Sequence, residues 1–240
     1  MGFYEQLSLH YDELFPVSGA EMAFVQGILE PCQSIIDLGC GTGNKSLHLA
    51  GPGKSVLGLD LDLGMIERAR AQNQLPGMEY RVMDMALAPA ALAPGSFDGA
   101  LCLGNSMVHL DGGPAIEDFL VGMAALLRPG SPFVIQILNY DRIISRNIRS
   151  LPPLESAHVI FERRYEDRGD RLLFVTTLCD KESGESWQNA VTLYPLGKNE
   201  FATLLKRAGF SRTDWYGGYD GSPLTDDSFA LIAVSRTEPS

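Results

Sequence analysis

The chain has 240 residues, 45% apolar and 20% charged, an ordinary globular composition long enough to bury a full sheet core. Its net charge of −11 argues against broad binding to nucleic acid or to an anionic membrane, since both need a positive footprint. No run approaches the roughly 20 apolar residues of a membrane span, and the acidic N-terminus does not read as a secretory leader.

Residues 2–15 and 19–30 read as two helices parted by "FPVSG". The apolar run Ser34–Leu38 reads as a buried strand, and Lys45–Ala50 as the helix after it. "KSVLGLD" is a second strand, and Asp62 can cap a helix carrying Leu63, Ile66 and Ala69 on one face. Met78–Val82 is a third strand, followed by an alanine- and proline-rich loop. Phe97–Gly104 is a fourth, Ala115–Leu127 a helix, and Pro132–Leu138 a fifth strand. This alternation calls for a parallel sheet with helices on both faces. Beyond it, "HVIFERRYE", "RLLFVTTLCD" and "WQNAVTLY" read as a three-stranded antiparallel insert over residues 155–196. A helix at Lys198–Ala208 and two last strands close a single domain.

The four cysteines, Cys32, Cys40, Cys102 and Cys179, form no C-x-x-C pair, so no metal site is expected and the setting reads as cytoplasmic. The spacing G-x-G-x-G at Gly39, Gly41 and Gly43 follows Asp37 directly. Glycine admits positive φ and removes the Cβ that would block a close approach. A phosphate loop needs four residues between its glycines, and a dinucleotide loop needs G-x-G-x-x-G; "GCGTGNKS" meets neither pattern. S-adenosylmethionine is the third candidate. It has no pyrophosphate; its amino group and hydroxyls need acceptors, and its carboxylate can use backbone N–H groups near a helix start. Asp37 under the loop, Asp60 at the second strand end and Asp84 after the third could supply those acceptors, with Met85 beside the adenine.

"DLGCGTG", "GLDLDLGMIERAR", "VMDM" and "FDGALCLGNSMVHL" resemble the successive motifs of class I S-adenosylmethionine-dependent methyltransferases over residues 34–140. The resemblance implies an α/β, Rossmann-like, seven-stranded mixed sheet of order 3-2-1-4-5-7-6 with strand seven antiparallel. It implies cofactor contacts at Asp37, Gly39, Cys40, Gly41, Asp60, Leu61, Met65, Asp84, Met85 and Leu103, with S-adenosylhomocysteine as product. It also implies a cofactor-binding core over 31–140 and a helical lid over 1–30, since "HYDELF" resembles the lid of small-molecule methyltransferases.

"CLGNSMVHL" and "LNYDRII" are similar to segments of glycine and sarcosine N-methyltransferases. In that group an arginine precedes the Asn-Tyr-Asp triplet and pairs with the amino-acid carboxylate; here the position is Leu138. Methyl transfer can rest largely on proximity and alignment. Candidates on the acceptor side are Tyr11 as a lid residue, His109 as a base, and Asn105, Asn139 and Tyr140 as pocket residues. Arg142, Arg146 and Arg149 would share one helical face, with Arg163 and Arg164 nearby in sequence, as a surface stripe or an attractor for an anion. The expected activity is methylation of nitrogen or oxygen on a small molecule, by a monomer or homodimer. The same residues would serve a module that binds the cofactor without transfer, or an enzyme that methylates a protein.

Overall fold

The computed structural model describes residues 2–239. Five segments too short for stable helices form parallel strands: β1 (Ser34–Leu38), β2 (Ser55–Asp60), β3 (Met78–Val82), β4 (Gly99–Cys102) and β5 (Pro132–Leu138); all but the edge strand β3 are buried along most of their length. β1 pairs with β2 and with β4, so the strand order reverses beside it. In open α/β sheets this switch point is where ligands settle, beyond the carboxyl ends of the strands. Two later strands complete the sheet. β11 (Ala230–Thr237) lies antiparallel between β5 and β10 (Phe210–Tyr216). The order is β3-β2-β1-β4-β5-β11-β10, which is 3-2-1-4-5-7-6 when only the strands of this sheet are counted.

Helices cover both faces. α2 (Gly19–Leu29) buries Met22, Val25 and Leu29 on one side. α5 (Gly112–Leu126) buries Ile116, Phe119 and Met123 on the other, where α7 (Lys198–Arg207) also packs. α1 (Phe3–Leu14), α3 (Leu63–Gln72) and the short α4 (Ala88–Ala91) and α6 (Tyr140–Ser145) complete the set. The segment expected as a helix at Lys45–Ala50 forms only a 3₁₀ turn, Ser46–Leu49, because "AGPG" follows at once and leaves no length for an α-helix.

The insert differs from expectation in one strand. It is a four-stranded antiparallel sheet: β6 (Ser150–Glu155), β7 (Val159–Asp167), β8 (Leu172–Asp180) and β9 (Ser186–Leu193). "SLPPLE" does not read as a strand because Pro152 and Pro153 lack N–H donors. At the sheet edge they are tolerated, and the register of β6 on β7 shifts between Leu151 and Leu154, at the prolines.

The arginine stripe is corrected too. α6 ends at Ser145, with Asn147 in the left-handed region (φ 52°), so Arg142, Arg146 and Arg149 share no helix face. Arg142 lies over the Phe229 ring, Arg146 pairs with Asp227, and Arg149 approaches Asp167 at 4.0 Å.

Candidate functional site

The glycine loop leaves β1 with Gly39, Gly41 and Gly43 at φ 72°, 56° and 70°. Leu59 O accepts from both Gly39 N (2.8 Å) and Cys40 N (2.9 Å), which ties the bend to β2. The groups that approach the bare backbone are the protein's own. A Cβ on Gly39 would stand 2.5 Å from Ser106 Oγ, one on Gly41 3.3 Å from the Tyr11 ring, and one on Gly43 2.6 Å from the Tyr80 ring. Tyr80 also covers Gly58, its register partner on β2. The sequence reading missed Tyr80; the signal for it is a glycine inside a strand, which marks a close approach. Cys40 turns away from the cleft, into a cluster with Ile66, Ala69 and Tyr80.

Two acids frame the loop. Asp60 accepts from Gly41 N with Oδ2 and from Asp62 N with Oδ1, both at 2.9 Å. These bonds fix the plane of the carboxylate while each oxygen keeps a free lone pair. Burial pushes its pKa above the ordinary carboxylate value, against the pull of the backbone bonds. Asp37 is buried and accepts from Ser46 Oγ at 2.5 Å. Burial raises its pKa to about 6; the Ser46 bond and the Lys45 charge oppose the rise, and Asp60 adds to it. Lys45 itself is held by Glu21 at 2.7 Å. Asp84 caps the 3₁₀ turn Met85–Leu87 by accepting from Ala86 N at 2.9 Å. Leu61 leaves 72% of its surface exposed beside Asp60.

This set of groups fits S-adenosylmethionine: an oriented carboxylate for ribose hydroxyls, an exposed apolar platform beside it, a second acid at the next strand end, and a loop lysine occupied elsewhere. Two more expected contacts, like Cys40, are turned into the core, and a third is partly buried against it. Met65 is buried among Leu7, Phe161 and Leu178; Leu103 packs toward Met22 and Val25; and Met85 rests on the main core.

α1 is clasped to this loop by a residue that the sequence reading passed over. Asp12 on α1 accepts from Thr42 Oγ1 at 2.5 Å and from Asn44 Nδ2 at 2.9 Å. It thereby sets the neighbouring Tyr11 over Gly41. Burial and the nearby Asp60 hold the Tyr11 phenol protonated, well above its ordinary pKa. The apolar face of α1 packs on Phe161 and Leu178, so the insert supports α1.

Across the cleft, Gly104 and Asn105 both take positive φ (71°) after β4. Asn105 Oδ1 accepts from Leu138 N at 2.9 Å, and its Nδ2 donates to the Tyr140 hydroxyl at 3.0 Å. Tyr140 is fully buried, and burial drives its pKa far up. The other members of the triplet have structural tasks. Asn139 donates to Thr225 O (3.2 Å) and Ser228 O (3.0 Å) and accepts from Arg142 N (3.3 Å), which uses both of its N–H donors. Asp141 accepts from Lys198 N at 2.8 Å, at the start of α7. Asn139 is therefore a clamp between β5 and the loop before β11. His109 ends a 3₁₀ turn, exposed, and its ring has no bond to Asn105, Asn139 or Tyr140. Partial desolvation keeps its pKa below the ordinary histidine value.

Residues 35–130 match the family described as "Methyltransferase domain". Mouse glycine N-methyltransferase is 33% identical over 137 residues, which cover 51% of this chain and 47% of that protein. The glycine/sarcosine/dimethylglycine N-methyltransferase of Actinopolyspora halophila is 25% identical over 211 residues, 85% of this chain and 36% of its own length. The chain thus spans less than half the length of these relatives. Among solved structures, an S-adenosylmethionine-dependent methyltransferase from Clostridium acetobutylicum ATCC 824 superposes with a TM-score of 0.81 at 16% identity, over 98% of this chain and 99% of that one. At that identity the likeness speaks for the fold.

Proposed function

We propose, since the chain belongs to the class I S-adenosylmethionine-dependent methyltransferases, that it transfers a methyl group from that cofactor to a nitrogen or oxygen of a small molecule. The observation that carries this reading is the Asp60 carboxylate, oriented by Gly41 N and Asp62 N beside an exposed Leu61. Asp60 would hold the ribose, Leu61 and Met85 would flank the adenine with Asp84 at its edge, and the Asp37 side of the loop would face the ammonium.

When bound, the cofactor supplies a methyl carbon already activated by sulfonium. The protein's part is then alignment and exclusion of water, and proximity alone lowers such barriers substantially. Tyr11 would cover the glycine loop from the lid, held down by Asp12. The Asn105–Tyr140 pair would form the acceptor wall between the ends of β4 and β5. A neutral amine needs no base. For a hydroxyl or an ammonium, His109 is kept neutral near pH 7 by its lowered pKa and is the candidate proton acceptor. The relatives' names point to nitrogen, and the resE O-methyltransferase of Aspergillus sclerotiorum points to oxygen. The four free cysteines and the absence, among the described residues, of a helix long and apolar enough to cross a membrane support a cytoplasmic setting.

The test is release of S-adenosylhomocysteine from the methylated cofactor in the presence of a panel of small amines, phenols and acids. The reading expects release dependent on one acceptor class. Cofactor binding without release from any member would favour the silent binding module.

A further inference from the structure

The connection between β6 and β7 brings His158 against α1. Ser156 Oγ accepts from His158 N and from Val159 N, each at 3.1 Å, and His158 O accepts from Lys181 N at 2.8 Å. The turn that carries this histidine is therefore fixed on both sides. On α1, His10 and Glu13 stand three residues apart and share a face. Leu7 and Leu14 of the same helix pack with Val159, Phe161 and Leu178 of the insert. Apolar packing thus presses the helix against the insert and brings the three polar side chains together.

His158 Nδ1 lies 3.1 Å from Glu13 Oε2, and His10 Nδ1 lies 3.9 Å from the same oxygen. One potential ligand atom from each of the three residues lies within 4.8 Å of the other two. The two histidine rings are tilted by 37°, with centroids 6.0 Å apart. An ion pair with Glu13 accounts for His158 alone. It leaves His10 Nδ1 buried without a hydrogen bond, because 3.9 Å is out of reach. Ser156 bonds the Glu13 carboxylate as well, and an outer contact of this kind orients a metal ligand. Asp180 is near enough to interact electrostatically with His10, which adds negative potential to the cluster.

Two imidazoles and one carboxylate are the donor set of a borderline divalent cation such as Zn²⁺, whereas Mg²⁺ and Ca²⁺ prefer oxygen. Tetrahedral coordination with bonds of about 2 Å sets ligand atoms roughly 3.3 Å apart, so small side-chain rotations close this triangle. We infer that His10, Glu13 and His158 form a zinc-class metal site that ties α1 to the insert. The His158 and Glu13 side chains are 62% and 42% exposed, which leaves the fourth position to water. The expectation of no metal site came from the cysteines, and this donor set contains none. His10 directly precedes Tyr11 and Asp12, so the ion fastens the turn of α1 that covers the glycine loop. None of the three ligands is among the proposed cofactor or acceptor contacts, so the inference is independent of the methyltransferase reading.

The experiment uses the full chain, stripped with a chelator, and Zn²⁺ as the probe. Calorimetry should show saturable one-to-one binding to the parent. His10→Ala and His158→Ala should each weaken it by about tenfold or more, since outer partners of a ligand are already worth roughly 10- to 100-fold. Cys179→Ser, the control for the one partly exposed cysteine, should bind as the parent does. Zn²⁺ should also raise the Tm of the parent and slow amide exchange across Phe3–Leu14, and should do neither in the double histidine variant. No saturable binding, equal affinity in the parent and both histidine variants, or exchange across α1 indifferent to Zn²⁺ would overturn the inference. Each of these results leaves the methyltransferase reading standing, because S-adenosylhomocysteine binding tests that reading separately.

Discussion

The two walls of the cleft handle their polar groups in opposite ways. Around the glycine loop the fixed partners are internal: Asp60 is held by Gly41 and Asp62, Asp37 by Ser46, and Asp12 by Thr42 and Asn44. On the insert side, Arg163 Nε is buried with no acceptor, and the buried Tyr165 hydroxyl approaches that of Tyr140 without meeting hydrogen-bond geometry. Preorganised acids suit one constant ligand, because their orientation is set before it arrives. Unsatisfied groups suit a ligand that completes them. On the proposed reading, cofactor binding belongs to the sheet side of the cleft.

Steric substitution in the loop should break the first wall most severely. Gly43→Val combines positive φ with a Cβ 2.6 Å from the Tyr80 ring, and should destabilise the protein by about 3 kcal/mol or more, read as a fall in Tm. A Tm within 2 °C of the parent would show that the loop has slack.

Titration of Asp37 gives the next effect. Its folded pKa, about 6, lies above the ordinary aspartate value of 3.8, so the stabilisation of the protonated form is fully present below pH 4 and is lost as pH rises through 6. Relative to Asp37→Asn, the parent should lose on the order of 3 kcal/mol between those limits. Denaturant unfolding of both proteins from pH 4 to 8 checks this; a difference independent of pH would contradict it.

Removal of the clasp on α1 should cost less. Asp12→Ala leaves the buried Thr42 hydroxyl without its acceptor, and about 2 kcal/mol of local stability should go, seen as faster amide exchange across Phe3–Leu14. The smallest effect belongs to the second wall. Tyr165→Phe deletes a buried hydroxyl that approaches the Tyr140 hydroxyl without meeting hydrogen-bond geometry, so stability should stay within about 1 kcal/mol of the parent. A larger loss would show that the hydroxyl is satisfied within the protein.

Much of this arrangement is legible in the chain itself. The glycine spacing, the strand-end acids and the alternation of strand and helix each follow from local rules, and the strand order and the Asp60 site follow from the resemblance they support. What escaped reading depends on partners distant in sequence. Tyr80 matters because the register sets it against Gly58, and Asp12 because α1 folds back over a loop some thirty residues away. β6 was hidden by Pro152 and Pro153, whose tolerance depends on an edge position that only tertiary pairing creates. Asn139 looked like a pocket residue because its triplet sits at a strand end; its two donors are taken by a loop nearly ninety residues onward.

The most direct measurement is a calorimetric titration of S-adenosylhomocysteine into the parent protein and into Asp60→Ala. The account predicts saturable one-to-one binding to the parent, weakened roughly 10- to 100-fold in the variant, as expected when charged hydrogen bonds to the ribose are lost. No binding to the parent, or equal affinity for both proteins, would contradict it.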